Sequence, residues 1–232
     1  MVSTGAICVL GMHRSGTSCI TGLLEDAGVF LGGVSKQNPY NLKGNQENLQ
    51  IMHLHEDVLK SNGSSWDNPP EGDVVWSEHQ KTSRIRIIEQ YPEDTSWAFK
   101  DPRTLFTLDG WLEDLPNMRF IGTFRHPSAV AQSLFRRGKM PPQQGYELWS
   151  SYNERLIKYK QTFGFDLVCF DLSPPAYLAA AETIFQRLDL DTIKNDLAFF
   201  EAKLRSDQIE PMFRHPPDKV MAIYEKLQGL ST

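Results

Sequence analysis

Cysteine is scarce in this sequence, and long apolar runs are absent. The 232 residues contain three cysteines, which are too few for the disulfide framework of a small secreted domain, and no pair has the spacing of metal ligands. No apolar stretch approaches the ~20 residues that span a bilayer. The N-terminal MVSTGAICVLG lacks the basic region and the length of a signal peptide. We therefore expect a soluble, cytoplasmic protein with no integral membrane segment.

Positive charge is not in excess either. Acidic residues outnumber Lys and Arg by 29 to 24, and the formal net charge is −5. No long basic tract is present, so a nucleic-acid partner is disfavoured. The length suits one domain with a substantial core, and we expect residues 1–232 to form it. No pattern in the sequence indicates an oligomeric state.

Apolar stretches alternate with helical patterns along the chain. We predict strands at 6–10, 97–100, 119–124 and 167–170. We predict helices at 17–27, 46–59, 77–91, 105–115, 127–137, 144–163, 175–188, 197–205 and 218–227. Strands that are apolar throughout, with helices between them, indicate a three-layer α/β/α fold with a central, mainly parallel sheet.

The stretch CVLGMHRSGTSC at residues 8–19 nearly matches a phosphate-binding P-loop, G-x-x-x-x-G-K-[ST]. Thr17 stands where that loop has lysine, and the nearest cation is Arg14. Backbone N–H groups and the start of the following helix favour an anion here. The hydroxyl groups of Ser15, Thr17 and Ser18 add donors. We predict a phosphate-binding loop.

The missing lysine disfavours ordinary ATP hydrolysis, which uses lysine on the phosphates together with a magnesium ion held by Ser/Thr and an acidic residue. The nearest acidic residue at a strand end is Asp101, and it is flanked by Lys100 and Arg103. We therefore predict no metal site.

A second anion-binding pattern occurs in TFRHPSAVAQS, at residues 123–133. Arg125 ends a strand and Ser133 lies eight positions later in the next helix. Together they can converge on one phosphate, with a guanidinium fork and a hydroxyl. HRSGTS, KDPR and RHP follow three successive strands, and carboxyl ends of parallel strands are where ligands bind in such sheets.

GMHRSGTS and RHPSAVAQS resemble, in order and spacing, the two cofactor motifs of sulfotransferases that use 3′-phosphoadenosine 5′-phosphosulfate (PAPS). KDPRT at 100–104 is similar to a stretch in bacterial members and in relatives of the tyrosylprotein type. LWSSYN at 148–153 and VCFDL at 168–172 are weaker matches. The resemblance runs from about residue 6 to residue 190.

This resemblance implies a P-loop NTPase-like fold and transfer of a sulfuryl group to a hydroxyl or amine, with release of adenosine 3′,5′-bisphosphate (PAP) and no required metal. It implies cofactor binding by His13, Arg14, Ser15, Gly16, Thr17, Ser18, Arg125 and Ser133. Arg14 is also our first catalytic candidate. Because arginine stays charged, it would stabilise developing negative charge in the transition state rather than donate a proton.

The acceptor hydroxyl needs a base within about 3 Å of its oxygen. Glu47 resembles a glutamate of the bacterial and tyrosylprotein types, and it is our first candidate. Asp101 is the second, with a salt bridge to Lys100 or Arg103 as the alternative role. His53 and His55 come third, although a lone histidine is more often structural.

Two features depart from the cytosolic members of this family. Cys19 stands near the position of a tryptophan that helps to hold the adenine, and a C-terminal Arg-Lys-Gly segment is missing, for which Arg214 is a weak substitute. Past the second motif, three cations can reach the cofactor or an anionic acceptor, or can form a solvated helix end: Arg136, Arg137 and Lys139.

The acceptor is expected to be a small molecule, a glycan, a lipid or a carrier-bound group. We expect its pocket between the loops at 28–45, 61–76 and 138–145, with aromatic candidates Tyr40, Trp66, Trp76 and Tyr146. Two other functions stay open from the sequence: a nucleotide or small-molecule kinase with an unusual P-loop, and a non-catalytic nucleotide-binding relative.

Overall fold

The computed structural model describes residues 5–35, 43–190, 199–201 and 208–231. Its centre is a four-stranded parallel sheet with the spatial order β2-β1-β3-β4. The strands are β1 (Gly5–Leu10), β2 (Ser96–Lys100), β3 (Arg119–Phe124) and β4 (Asp166–Cys169). Because the strands are apolar and lie inside the fold, their side chains are buried on both faces of the sheet.

Eight α-helices accompany the sheet in the described residues. They are α1 (Thr17–Asp26), α2 (Leu49–Ser61), α3 (Glu78–Ile88), α4 (Thr104–Leu112), α5 (Pro127–Gly138), α6 (Pro142–Phe163), α7 (Pro174–Arg187) and α8 (Asp218–Leu230). A short 3₁₀ turn at Pro211–Phe213 precedes α8.

Two hydrophobic cores form on opposite faces of the sheet. Alternate β1 residues serve the two cores, because successive side chains of a strand point to opposite faces. Ile7 and Val9 pack with the apolar residues of α1 and α7, and Cys8 and Leu10 pack with those of α2, α4, α5, α6 and α8. The predicted three-layer α/β/α arrangement with a parallel sheet is confirmed.

Most element boundaries lie within three residues of the predicted ones. Helix α2 begins at Leu49 rather than at residue 46, because Asn48 caps it by accepting a hydrogen bond from the Gln50 N–H. Helix α6 begins at Pro142, a residue type that suits the first helical turn. Most of the helix predicted at 197–205 lies outside the described residues, and Phe199 lies in a turn.

The strand order determines where a ligand can bind. β1 lies between β2 and β3, so the segments that follow these three strands meet at one edge of the sheet. After β1 the chain turns to β2 on one side, and after β3 it turns to β4 on the other side. Such a switch point between two neighbouring strands is where open α/β sheets bind ligands. The three motifs identified in the sequence are therefore neighbours in space.

Candidate active site

A cavity of about 520 Å³ opens at the carboxyl edge of the sheet. The residues after β1, β2 and β3 line it, together with the end of α5, the residue after β4 and two segments that reach over the edge. Its lining includes Arg14, Ser18, Glu47, Lys100, Arg103, Arg125, Arg137, Phe170, Phe199 and Phe200. The volume lies within the range of small-molecule and cofactor sites.

The loop after β1 has an unusual backbone. Arg14 and Gly16 have φ angles of 67° and 85°, in the left-handed region that favours glycine. A Cβ atom on Gly16 would lie 2.3 Å from Cδ2 of Phe170. The loop thus approaches the residue after β4 closely, and Arg14 occupies a backbone conformation that costs a non-glycine residue about 1–2 kcal/mol.

Ser15 joins this loop to the sheet. The hydroxyl of Thr123 in β3 donates to the Ser15 carbonyl at 2.9 Å. The Ser15 hydroxyl is itself fully buried and has no hydrogen-bond partner among the described residues. A buried hydroxyl without a partner is costly, but Ser15 does not line the cavity. Arg14, Gly16, Thr17 and Ser18 of the same loop do line it, and their guanidinium and hydroxyl donors support the fit of a phosphate group there.

The two sequence motifs meet through Arg14 and Ser133. Nε of Arg14 donates to Oγ of Ser133 at 2.8 Å, across 119 positions of sequence. Burial lowers the pKa of Arg14, and the positive charges of Arg137 and Arg125 lower it further. Three guanidinium groups therefore face a common region that an anion would stabilise.

Arg125 is fixed from several directions. Its Nε lies 3.3 Å from Oδ1 of Asp171, and its guanidinium lies 5.3 Å from the Phe170 ring centroid. Its carbonyl accepts a hydrogen bond from Nε1 of Trp149 at 3.0 Å. Both the backbone and the side chain of Arg125 are thus held at the cavity wall.

Glu47 and Lys100 form a buried ion pair on the other side of the loop. Nζ of Lys100 lies 2.7 Å from Oε1 of Glu47 and 3.3 Å from Oγ of Ser18. The Glu47 carbonyl accepts from the Ser35 N–H at 3.0 Å, which holds the segment before α2 against the site. Glu47 is 6% exposed and lines the cavity.

Asp101 lies behind this wall rather than among the cavity-lining residues. Its carboxylate is 3.0 Å from Nη1 of Arg103 and 3.2 Å from Nδ1 of His55. Burial would raise the pKa of Asp101, but the interactions of its carboxylate with His55 and Arg103 lower it below its usual range. Nε1 of Trp111 donates to Nε2 of His55 at 2.7 Å, so the His55 proton is on Nδ1, toward Asp101.

Arg103 connects this buried network to the cavity. Its second nitrogen lies 2.8 Å from Oε1 of Glu56, and the side chain lines the cavity wall. The salt bridge weighed for Asp101 is therefore present, with Arg103. Of the two histidines predicted as candidate bases, His55 is fully buried in the network and His53 is exposed on α2.

His13 lines the cavity beside aromatic rings. Its ring centroid lies 5.0 Å from that of Trp66 and 5.8 Å from that of Tyr152. Nε2 of His13 is buried, and the part of the chain that the structure describes offers it no hydrogen-bond partner. Burial lowers the pKa of His13 well below its usual value, as does the charge of Arg103, so the imidazole is neutral.

The structure places several other predicted candidates away from the cavity. Trp76 and Tyr146 are core residues, and Arg214 donates to the Ile209 carbonyl away from the cavity. Tyr40 lies outside the described residues. The sequence did not identify Phe199 and Phe200, which line the cavity near Cys19, because they come from a segment that no motif marks.

A parallel sheet with an anion-type loop after its first strand defines a P-loop-like α/β protein. The chain belongs to the sulfotransferase family, whose family model matches residues 6–173. The predicted sulfotransferase function is therefore confirmed, and the kinase alternative is not favoured. The similarity to the tyrosylprotein branch stays a prediction.

Solved structures share the fold. The sulfotransferase domain of the Synechococcus PCC 7002 olefin synthase matches with a TM-score of 0.57 and 16% identity over 98% of this chain and 96% of that one. The sulfotransferase domain from the curacin biosynthetic pathway matches with a TM-score of 0.50 and 15% identity over 98% and 99%. A search of curated proteins finds no match to the sequence. Within the described ranges, no helix has the length and apolar character needed to cross a membrane.

Proposed function

We propose that the protein transfers the sulfuryl group of PAPS to a hydroxyl or amine of an acceptor and releases PAP, with no metal required. The observation that carries this proposal is the hydrogen bond between Arg14 and Ser133. This hydrogen bond brings the phosphate loop next to the Arg125–Ser133 motif. A donor that carries both a 5′-phosphosulfate and a 3′-phosphate requires two neighbouring anion-binding sites. Residues 1–232 are proposed to act as one domain.

The residues of the cavity fit this donor. The backbone of residues 13–18 and the hydroxyl groups of Ser15, Thr17 and Ser18 would cradle the 5′-phosphate. The observation in favour is that Arg14, Gly16, Thr17 and Ser18 line the cavity. Arg125 and Ser133 would hold the 3′-phosphate. A guanidinium fork matches phosphate oxygens, which supports Arg125 in this role.

The adenine would find aromatic partners in place of the tryptophan that Cys19 replaces. Phe170, Phe199 and Phe200 line the same cavity. Base–aromatic stacking contributes about 1–3 kcal/mol per base. We propose that these rings hold the adenine. The site then differs from that of the cytosolic members in the segment that supplies the aromatic contact to the adenine.

Arg14 would act through its charge. When bound, the donor supplies a sulfuryl group on an activated phosphosulfate, and negative charge grows on its oxygens as the group leaves. Arg14 is already oriented by Ser133, so little reorganisation is needed to place its guanidinium there. A fixed cation at developing negative charge is a large contribution to catalysis in a water-poor site.

Glu47 is the base in this proposal, because its carboxylate lines the cavity. It would accept the proton of the acceptor hydroxyl as that oxygen attacks. Nζ of Lys100 lies 2.7 Å from Oε1 of Glu47 and holds the carboxylate in place at the cavity wall. Asp101, the second candidate base, has its carboxylate directed to His55 and Arg103. We therefore favour Glu47 as the base and assign Asp101 the positioning of Arg103.

The acceptor remains a small molecule, glycan, lipid or carrier-bound group in this proposal. A cytoplasmic location belongs to it as well, since Cys8, Cys19 and Cys169 are all thiols, which is usual in a reducing compartment.

Calorimetry tests the donor assignment. PAP and ATP–magnesium are titrated separately into the protein. We expect binding of PAP that weakens at least tenfold in Arg125→Ala, since a charge-assisted contact to phosphate is worth about 1.5–3 kcal/mol. Tight binding of ATP–magnesium with no response to PAP would overturn the proposal.

A further inference from the structure

The residue before the proposed base has a left-handed backbone. Gln46 has a φ angle of 55°, a conformation that costs free energy in a residue with a Cβ atom. Gln46 is 2% exposed, so it belongs to the packed interior rather than to a surface turn. Strained backbone of this kind persists where surrounding contacts enforce it, and it clusters at functional sites. The next residue in the chain is Glu47, the proposed base.

Three hydrogen bonds hold Gln46 and its neighbour. The Gln46 N–H donates to the Ser35 carbonyl at 3.2 Å, and the Ser35 N–H donates to the Glu47 carbonyl at 3.0 Å. Nε2 of Gln46 donates to the Lys43 carbonyl at 2.8 Å. The first two bonds fix the backbone on both sides of the peptide that joins Gln46 to Glu47, and the third ties the Gln46 side chain to the same turn.

Glu47 therefore lies between two fixed points. Gln46 precedes it, and Asn48 follows it as the cap of α2, where the Asn48 side chain accepts from the Gln50 N–H at 2.9 Å. The Glu47 carboxylate lies at the cavity wall, 2.7 Å from Nζ of Lys100. Because the start of α2 is anchored, a different φ at Gln46 would turn the Glu47 side chain away from Lys100.

The same turn contacts the phosphate loop. The Ser18 hydroxyl donates to the Asn45 carbonyl at 2.8 Å, and Nζ of Lys100 lies 3.3 Å from Oγ of Ser18. Gln46 thus lies between Asn45, which the loop holds, and Glu47, which lines the cavity. The position of the base is therefore set relative to the loop that would hold the donor.

We propose that Gln46 is a positioning residue, whose left-handed backbone and amide contact direct the Glu47 carboxylate into the cavity. The proposal rests on the proposed function, in which Glu47 accepts the proton of the acceptor hydroxyl. Gln46 lies outside the group of described residues that line the cavity, so it acts through Glu47 rather than on a ligand. A purely structural role would lower the stability of the protein without weakening the contact between Glu47 and Lys100.

Coupling energies test the positioning without an acceptor. The coupling between Glu47 and Lys100 is obtained by chemical denaturation of Glu47→Gln, Lys100→Met, the double variant and the wild-type protein. The same cycle is then repeated in the presence of Gln46→Val. A β-branched residue disfavours a positive φ, so this substitution should turn the backbone before Glu47. We expect the coupling to fall by about half or more.

Two further variants separate positioning from general destabilisation. Gln46→Asn should retain most of the coupling, because asparagine tolerates the left-handed region better than other residues with a Cβ atom. Asp189→Val is the matched control. Asp189 has a φ of 54°, is exposed and lies outside the cavity lining. Its substitution should lower the free energy of unfolding for the same backbone reason and leave the coupling unchanged.

Sulfuryl transfer provides a second measurement. Para-nitrophenol and hexanol are incubated with sulfur-labelled PAPS, and kcat is measured for each variant. Gln46→Val should lower kcat by about tenfold or more, since a misplacement of ~1 Å can cost about 100-fold. The dissociation constant of PAP should change far less. In a Glu47→Gln background, Gln46→Val should cause no further loss of kcat, because the group that it positions is gone.

Two results would overturn the proposal: an unchanged coupling in the presence of Gln46→Val, or a kcat loss of the same size with and without Glu47. A weakened coupling with an unchanged kcat would support the positioning and refute Glu47 as the base. Absence of PAP binding in the wild-type protein would instead refute the proposed function itself, and the coupling would still report whether Gln46 positions Glu47.

Discussion

Glu47 and Lys100 form an ion pair 2.7 Å long at the wall of the cavity, and both side chains are nearly excluded from solvent. The two residues come from the segment before α2 and from the last position of β2. Their contact places a candidate base and a cation side by side at the cavity wall. Removal of either residue leaves the charge of the other buried without a partner. Substitution of either residue therefore tests the pair.

Glu47→Gln should lower kcat by about 10²–10⁴-fold, the usual contribution of a general base, and leave PAP binding intact. Glu201→Gln is the matched control, because Glu201 also lines the cavity and pairs with a lysine, Lys43, at 2.9 Å. The kcat of the control should change far less. Steady-state kinetics measure kcat of both variants, and calorimetry measures their PAP affinity. A Glu47→Gln enzyme with unchanged kcat would exclude Glu47 as the base and leave Asp101 or the histidines as candidates.

Arg14→Ala should reduce sulfuryl transfer by about 10²–10³-fold, because it removes the charge proposed to stabilise the transition state. Ser133→Ala removes the hydrogen bond that orients Nε of Arg14 and a proposed contact to the 3′-phosphate, but it keeps the Arg14 charge, so its loss at saturating PAPS should be smaller. Single-turnover kinetics at saturating PAPS separate this effect from donor binding. Unchanged turnover in Arg14→Ala would remove Arg14 from the mechanism.

Gly16→Ala should weaken PAP binding and lower the free energy of unfolding by about 1–3 kcal/mol, since the new Cβ meets Phe170. Gly28→Ala is a control for backbone conformation alone. Gly28 has the same φ of 85°, and a Cβ atom added there would meet no atom of the described residues within 4 Å. Denaturant unfolding should show the smaller loss for Gly28→Ala, and PAP binding of that variant should be unchanged. Equal losses at both sites would contradict the close approach of the loop to Phe170.

Asp101→Asn should cost about 3–5 kcal/mol of stability, because Arg103 and His55 lose a buried partner. Asp73→Asn is the comparison: Asp73 pairs with Arg155 at 2.8 Å but is exposed, and such pairs are worth at most about 1 kcal/mol. Chemical denaturation of both variants provides the measurement. A fully stable Asp101→Asn protein that has lost only its turnover would favour Asp101 as the base.

Acid should destabilise the protein partly through His13. Its pKa is lowered in the folded state, whereas the unfolded chain binds a proton near pH ~6.5. Stability from this group is therefore present above pH ~6.5 and is lost as the pH falls below it. His13→Phe, which keeps a ring against Trp66, should reduce the difference in melting temperature between pH 7 and pH 5. His53→Phe, at an exposed site, should not; an identical pH response in both variants would contradict the shift at His13.

The sheet and most helices could be predicted because local signals carry them. Buried strands are continuous apolar runs, and proline begins α5, α6 and α7. The meeting of the two motifs could be predicted as well, because strand ends of a parallel sheet share an edge.

Other parts of the site depend on contacts between residues that are far apart in the sequence. Glu47 and Lys100 are 53 positions apart, and no local pattern indicates that they pair. The same holds for Phe199, whose N–H donates to Asp26 of α1 at 2.7 Å. His55 and Asp101 also come together only when α2 packs over the end of β2. Such contacts follow from the way whole elements dock, which a single sequence does not encode locally.

The left-handed backbone at Arg14 sets the stability of the protein against its activity. Glycine is the residue that this conformation favours, so Arg14→Gly should be more stable than Arg14→Ala by about 1 kcal/mol, although both lack the charge. Selection for stability alone would drive this position toward glycine. The proposed role of the Arg14 charge in sulfuryl transfer accounts for arginine at this position, at a cost in stability.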